Sequence, residues 1–318
     1  MIRYFGRRLF HAVLVLFGVS LLMFLVQQAA PGDFLSEMRL NPQISPQALH
    51  TLRAQYGLDQ PLPLRYAHWL SFVARGEFGY SFAYDMPASK LLWPRARNTL
   101  LLTVPALLIS WLIAVPLGVL AAAQRGTWLG RLFSGGTSFL LAVPDVLLAL
   151  LALMIALRTG LFPVGGMRSA DPSHGRLADL AWHMVLPVGT LVLGSLPVIL
   201  RHVRAAVSET LSSCYVRAAE GHGLRQLPLL FRHALPAAAN PLISLFGISI
   251  AFLLSVSLLV ETVMSWPGMG PLLLESILAR DLFVVLGATM LSTLFPLAGN
   301  LIADVLLYGF DPRIRMEP

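Results

Sequence analysis

The sequence predicts an all-α polytopic membrane protein, on three observations. First, 56% of its 318 residues are hydrophobic and only 12% are charged, whereas a soluble domain carries about a quarter of its residues as charges. Second, uncharged runs long enough for a bilayer-crossing helix, which needs about 20 residues, recur along the chain. Third, the arginines gather at the ends of those runs and not on one polar face, which points to a lipid bilayer and away from nucleic acid. The single cysteine, Cys214, leaves no internal disulfide and no Cys-rich metal site.

The basic start Met1–Arg8 precedes the run Leu9–Gly32. That run exceeds the roughly 7–15 apolar residues of a secretory signal core, so residues 1–32 read as a tail and a retained first span. Residues 33–97 are polar and mixed in charge, with a helix-like stretch at Ser45–Tyr56, an extended Gly57–Pro63 and aromatics from Trp69 to Tyr84. They read as a small extracytoplasmic subdomain, since long structureless loops are uncommon. Residues 98–318 then hold five further runs: Asn98–Gln124, Leu132–Leu157, Ala181–Leu200, Ala234–Val260 and Leu282–Ala303. The third run of the chain, Leu132–Leu157, is interrupted only by Pro144-Asp145, so Asp145 is expected near the centre of a span. Glu261–Asp281 reads as a re-entrant or surface segment, with Trp266 as either a packing residue or an interfacial anchor.

Lys/Arg in short loops orient the spans. With the N-terminus in the cytoplasm, the inner segments hold twelve basic residues and the short outer loops four. The first outer loop is long enough that its charges have little say. Six spans with both termini cytoplasmic is the predicted topology.

Cys214–Pro241 lies between two apolar runs yet carries Arg217, Arg225 and Arg232. It reads as two short helices joined at Gly223, the first capped by Ser212 or Ser213 and the second ending near Pro236. That places a basic helix–turn–helix, within residues 205–236, in the cytoplasm. A P-loop needs a lysine in a glycine frame, and the single lysine, Lys90, has none. No HExxH, no G-x-S-x-G and no His pair at i, i+4 is present, so catalytic chemistry has no visible seat. A carboxylate within a span costs about 2.5–3.5 kcal/mol on the insertion scale, so Asp145 should face a cavity or a partner. It is open to two readings: a polar group lining a pathway, or a side chain satisfied by freed backbone groups or an interface.

The segment Arg217-Ala218-Ala219, three residues, Gly223, nine residues and His233-Ala234-Leu235-Pro236 resembles the EAA loop of ABC-importer permeases. That signature is E-A-A-x-x-x-G, nine residues and I-x-L-P. Arg217 stands where Glu is usual, and His233 where Ile is. Tyr215-Val216-Arg217 and Gly223-Leu224 resemble the dipeptide/oligopeptide/nickel branch, as do Pro31-Gly32-Asp33, Tyr56–Leu62, His183–Pro187, Ser265–Gly270, Ala279–Asp281 and Asp311–Arg315. The resemblance implies a non-enzymatic permease of the bacterial inner membrane, half of a pathway for peptide first and nickel or a metal chelate second. It implies docking on an ATPase through Arg217, Ala218, Ala219, Gly223, Leu224, His233, Leu235 and Pro236. It further implies a second homologous permease, two ATPase subunits that bind the ATP and Mg, and an extracytoplasmic binding protein. No cofactor is expected in this chain. The rivals are an ion-coupled secondary transporter, which commonly shows internal repeats and paired intramembrane charges not evident here, and an intramembrane hydrolase.

Overall fold

The computed structural model describes residues 2–29, 59–124, 126–169 and 175–310. The expected Ser45–Tyr56 helix, Pro31–Asp33 and the terminal Asp311–Arg315 lie outside the described residues. The elements are α1 (Ile2–Ala29), α2 (Leu62–Val73), β1 (Tyr80–Ser81), β2 (Met86–Pro87), α3 (Ala88–Ala123), α4 (Trp128–Ala142), α5 (Asp145–Thr159), α6 (Arg176–Leu211) and α7 (Cys214–Gly221). After these come α8 (Gln226–Pro228), a π-helical turn (Leu229–Ala234), α9 (Leu235–Ala237), α10 (Ala239–Val263), α11 (Met269–Leu278) and α12 (Leu282–Phe310). β1 and β2 pair antiparallel, with Tyr80 opposite Pro87 and Ser81 opposite Met86.

Among the described residues, α1, α3, α6, α10 and α12 are long and apolar enough to cross a membrane. The run read as a third span is not one straight helix. α4 and α5 meet at 92°, and only as a bent pair do they qualify as a sixth span. Pro144 causes the break. It disfavours helical backbone in the residue before it, and Val143 is indeed extended at φ −88°, ψ 120°. The ring then starts α5, where a missing N–H costs nothing. α3 begins at Ala88, ten residues before the second apolar run, because the polar stretch ahead of that run is itself helical.

The chain forms two compact units, Met1–Asn98 with Pro267–Leu294, and Thr99–Trp266 with Phe295–Pro318. In the first, Phe24 of α1, Trp69 of α2 and Leu286 of α12 make a buried apolar centre. The Tyr66 ring meets Phe24 edge-on at 5.3 Å, and its hydroxyl pairs with that of Ser20 at 2.7 Å. The hairpin is pinned to the turn between α11 and α12. Ser81 donates to Asp281 at 2.5 Å, the Ala83 N–H donates to the same carboxylate oxygen at 3.2 Å, and Asp281 is fully buried. Beside it Tyr84 donates to Glu275 at 2.6 Å. Burial first, and the Glu275 carboxylate second, push the Tyr84 phenol up to about 12. Asn98 donates to the Pro267 carbonyl at 2.7 Å.

In the second unit the helices pack around two apolar clusters. One joins Leu102 and Ala106 of α3, Ala149 of α5, Leu191 of α6 and Val260 of α10 with Trp266. Trp266 is fully buried there, so it packs within the protein and is not an interfacial anchor. The other joins Val119 of α3, Ile199 and Val203 of α6, and Leu245 of α10 with Leu230 and Ala234 of the π turn. The hydroxyls of Ser110 on α3 and Ser195 on α6 are buried 2.7 Å apart, one donating to the other, and the acceptor of that pair donates to a carbonyl one turn back on its own helix. Polar groups on apolar helices are thereby satisfied inside the bundle, as a membrane environment requires. Glycine allows close approach: a Cβ on Gly118 would come within 2.7 Å of the Val203 side chain.

Candidate functional site

The segment from α7 to α9 is built by where its polar backbone groups go. α6 ends only two residues before α7 starts, and both intervening serines serve that end. The Ser212 hydroxyl donates to the Glu209 carbonyl at 2.6 Å, and the Ser213 N–H to that of Thr210 at 3.0 Å. Neither hydroxyl caps α7, contrary to the expectation from sequence; Ser213 holds the N-cap position with no side-chain bond.

At its far end α7 closes as expected. The Gly223 N–H donates to the Glu220 carbonyl at 2.9 Å, and Gly223 takes φ +81°, the left-handed region that favours glycine. The chain then re-enters helix at Arg225, whose backbone is extended.

The second limb does not stop at Pro236. It passes into the π turn, where the Leu235 N–H donates to Leu230, five residues back. α9 then begins, with Pro236 in its first turn, where no N–H is needed. The register shift lets the helix continue towards α10 past a proline that would otherwise break it.

The two limbs are tied together. The Tyr215 hydroxyl donates to the carbonyl of His233 across eighteen residues of chain. Val216, Leu229, Leu230 and Ala234 are buried, the last two in the same cluster as α3 and α6. The opposite face is open. Arg217, Ala218, Gly223, Leu224 and Pro236 are exposed, while Ala219, His233 and Leu235 are half-buried. The structure therefore brings the eight sequence-predicted residues onto one segment.

That segment also exposes Tyr215, Leu227 and Phe231, which the sequence reading did not include among the site residues; Leu227 is 60% exposed. Leu224, Leu227 and Phe231 recur at helical spacing in the sequence. Spacing alone does not tell a stripe facing outward from one facing the bundle. The surface combines aliphatic and aromatic groups with Arg217, Arg225 and Arg232, the residue types of a protein-binding patch.

Asp145 lies apart from this segment. It is the first residue of α5, not the middle of a helix. Its carboxylate is half-buried and rests against Gly194 of α6, where a Cβ would overlap Oδ1. A helix N-terminus carries unpaired N–H groups and partial positive charge, so a carboxylate is tolerated there far better than at a helix centre. No arginine or lysine among the described residues pairs with it.

Comparison with known proteins agrees with this architecture. Residues 114–316 match the family described as binding-protein-dependent transport system inner membrane component, and residues 1–103 match the N-terminal model of the same family. The chain is 33% identical to the oligopeptide transport system permease protein AppB of Bacillus subtilis over 99% of this chain and 100% of that protein. It is 31% identical to the dipeptide transport system permease protein DppB of Escherichia coli K12, over 99% of each. It is 32% identical to the glutathione transport system permease protein GsiC of E. coli O1:K1, over the whole of both. Among solved structures, the inward-facing MetNI methionine ABC transporter shares its fold at a TM-score of 0.54 and 20% identity, covering 68% of this chain and 96% of that one. Full-length matches of this kind set aside the ion-coupled carrier. The chain belongs to the binding-protein-dependent transport system inner membrane components: it is a multi-pass permease subunit of an ABC importer in the inner membrane.

Proposed function

We propose that this permease forms half of the translocation pathway for a peptide, in complex with a second, homologous permease. Two ATPase subunits bind the ATP and Mg and drive it, and an extracytoplasmic binding protein delivers the cargo. The observation that carries the reading is the α7–π segment, partly apolar and basic on its open face, tied across by Tyr215 and His233, with an inner face continuous with the core of α3 and α6. A push on such a segment is passed to the helices it packs against, because close-packed interiors transmit strain. Arg217, Ala218, Ala219, Gly223, Leu224, His233, Leu235 and Pro236 form the docking surface, with Tyr215, Leu227 and Phe231 added. Peptide is the cargo class because three full-length relatives are named for oligopeptide, dipeptide and glutathione transport. Asp145 lines the pathway at the α4–α5 elbow. Both termini are cytoplasmic and the bent pair α4–α5 counts as one of six spans, in line with the arginine distribution.

The test is co-purification of the chain with the products of its neighbouring genes in mild detergent, followed by ATPase and uptake assays in proteoliposomes. An ATPase subunit that elutes with the chain, and hydrolyses ATP faster when binding protein and peptide are added, supports the reading. A folded chain that elutes alone across several detergents overturns it.

A further inference from the structure

A second feature of the Thr99–Trp266 unit is unrelated to the docking segment. An open groove of about 220 Å³ runs between α3, α4 and α6, with Leu117, Leu132, Gly136, Leu140, Leu196 and Leu200 in its wall. Thr137 also lines it, but its hydroxyl is turned back to the carbonyls of Phe133 at 2.8 Å and Ser134 at 3.0 Å. The wall thus offers no free hydrogen-bonding group to a polar solute, and water gains nothing by entering. The volume is below the roughly 300–1,000 Å³ of small-molecule pockets. It suits a thin apolar chain and is too small for a packed helix. Gly136 leaves the wall open, since a Cβ there would meet no atom within 4 Å.

One end of the groove is cationic. On α6 the lining residues Pro197 and Leu200 are followed at i+4 by Arg201 and Arg204, which continue the same helix face. Arg204 reaches across to α4, where its Nη1 donates to the Ser134 hydroxyl. A guanidinium carries five N–H donors, so others are left for a second acceptor. Arg131 stands at the same end of α4, next to the lining Leu132. Among the described residues, no salt bridge engages Arg131, Arg201 or Arg204. An apolar slot that ends in arginines, on helices that lie in a membrane, is complementary to an amphiphile with an anionic head. Basic pockets between transmembrane helices are a recognised seat for such headgroups.

We propose that the groove is a binding site for an anionic phospholipid of the surrounding bilayer, with one acyl chain in the α3–α4–α6 slot and the phosphate on Arg201 and Arg204. The arginine cluster alone would suit any phosphate, but the slot contributes only to a ligand with a hydrocarbon chain. The site does not depend on which cargo the permease carries.

The test uses the full-length permease, with whatever subunits co-purify, in nanodiscs of phosphatidylglycerol mixed with phosphatidylcholine. Retained lipid is counted by native mass spectrometry after transfer to detergent. Phosphatidylglycerol is expected to be retained at least tenfold over phosphatidylcholine. Arg201→Gln with Arg204→Gln abolishes that preference, and Gly136→Leu, which fills the slot, lowers phosphatidylglycerol retention several-fold in a monodisperse protein. Arg201→Gln alone, at an exposed position, gives an intermediate loss if the other variants fold poorly. Inorganic phosphate at millimolar concentration does not displace the lipid. Equal retention of the two lipids overturns the proposal. Displacement by inorganic phosphate, with no effect of Gly136→Leu, reduces the site to a surface anion patch and overturns it too. So does quantitative cross-linking of Leu132→Cys to a companion permease, which would show the groove to be filled by protein.

Discussion

The hydroxyl of Tyr215 donates to the backbone carbonyl of His233, joining α7 to the π turn of the second limb. A single side chain thus fixes the angle that Gly223 permits. Tyr215→Phe keeps the ring and removes the bond, at a net cost of about 1 kcal/mol. Insertion and ATPase association are expected to persist. Peptide taken up per ATP hydrolysed should fall several-fold, because the limbs then flex under load. Proteoliposomes assayed for both quantities check this, and an unchanged ratio would show that the bond does not contribute to coupling.

Gly223 and Gly221 lie two residues apart and make opposite demands. Gly223 has φ +81°, and neither glycine has a neighbour within 4 Å of an added Cβ. A substitution at Gly223 therefore acts through the backbone alone. Gly223→Val should cost about 1–2 kcal/mol locally and disrupt the turn, with loss of ATPase co-purification. Gly221→Ala, at the last residue of α7 and with no positive φ, should be neutral or slightly stabilising. Paired pull-downs of the two variants at matched expression distinguish a conformational requirement from a steric one.

The Asp145 carboxylate occupies the space beside Gly194, so a Cβ there obliges that side chain to move. Gly194→Ala should displace the Asp145 carboxylate and reduce uptake several-fold. Gly189→Ala, on the same helix with open space around it, should leave uptake near wild type. Combining Gly194→Ala with Asp145→Ala removes the overlap, so the pair should be non-additive in thermal stability. Strict additivity in that cycle would show that the two residues do not bear on each other.

Asp281 anchors the β1–β2 hairpin through Ser81 and the Ala83 N–H. Asp281→Leu leaves both donors without their buried acceptor, at about 1–3 kcal/mol. Limited proteolysis should then cut within residues 80–87 faster than in the wild type. Tyr84 adds a pH signature. Its phenol is pushed up to about 12, so the folded state holds that proton more tightly than the unfolded chain does. The associated stability is fully present below about pH 10 and lost as pH rises from 10 towards 12. In an ultraviolet phenolate titration, Tyr84→Phe should remove a late-ionising tyrosine.

Length and charge sufficed for the class of this protein. A run such as Leu9–Gly32 can satisfy its backbone in lipid only as a helix, and arginines at the ends of runs follow from the cost of carrying charge across a bilayer. The Gly223 turn was legible for a similar reason, since the residue that tolerates left-handed backbone is itself the signal. Spacing against the EAA pattern also marked the segment proposed to dock, but not which of its residues face outward.

Other features depended on partners distant in the chain. Pro144 announced a disturbance, yet whether a proline kinks a helix or ends it depends on what re-satisfies the freed backbone groups. Here α4 and α5 part at 92° and Asp145 settles on Gly194. Pro236 read as a stop, but a π turn upstream shifted the hydrogen-bond register and carried the helix past it. Trp266 could have faced lipid or protein, and contacts with α3, α5, α6 and α10 put it inside. By itself the sequence determined the membrane class, the approximate positions of the long apolar helices and the left-handed turn at Gly223, because those follow from local costs paid residue by residue. The tertiary structure alone decided where the helices break, which face of each is buried and which side chains meet, because those energies arise only between segments that folding brings together.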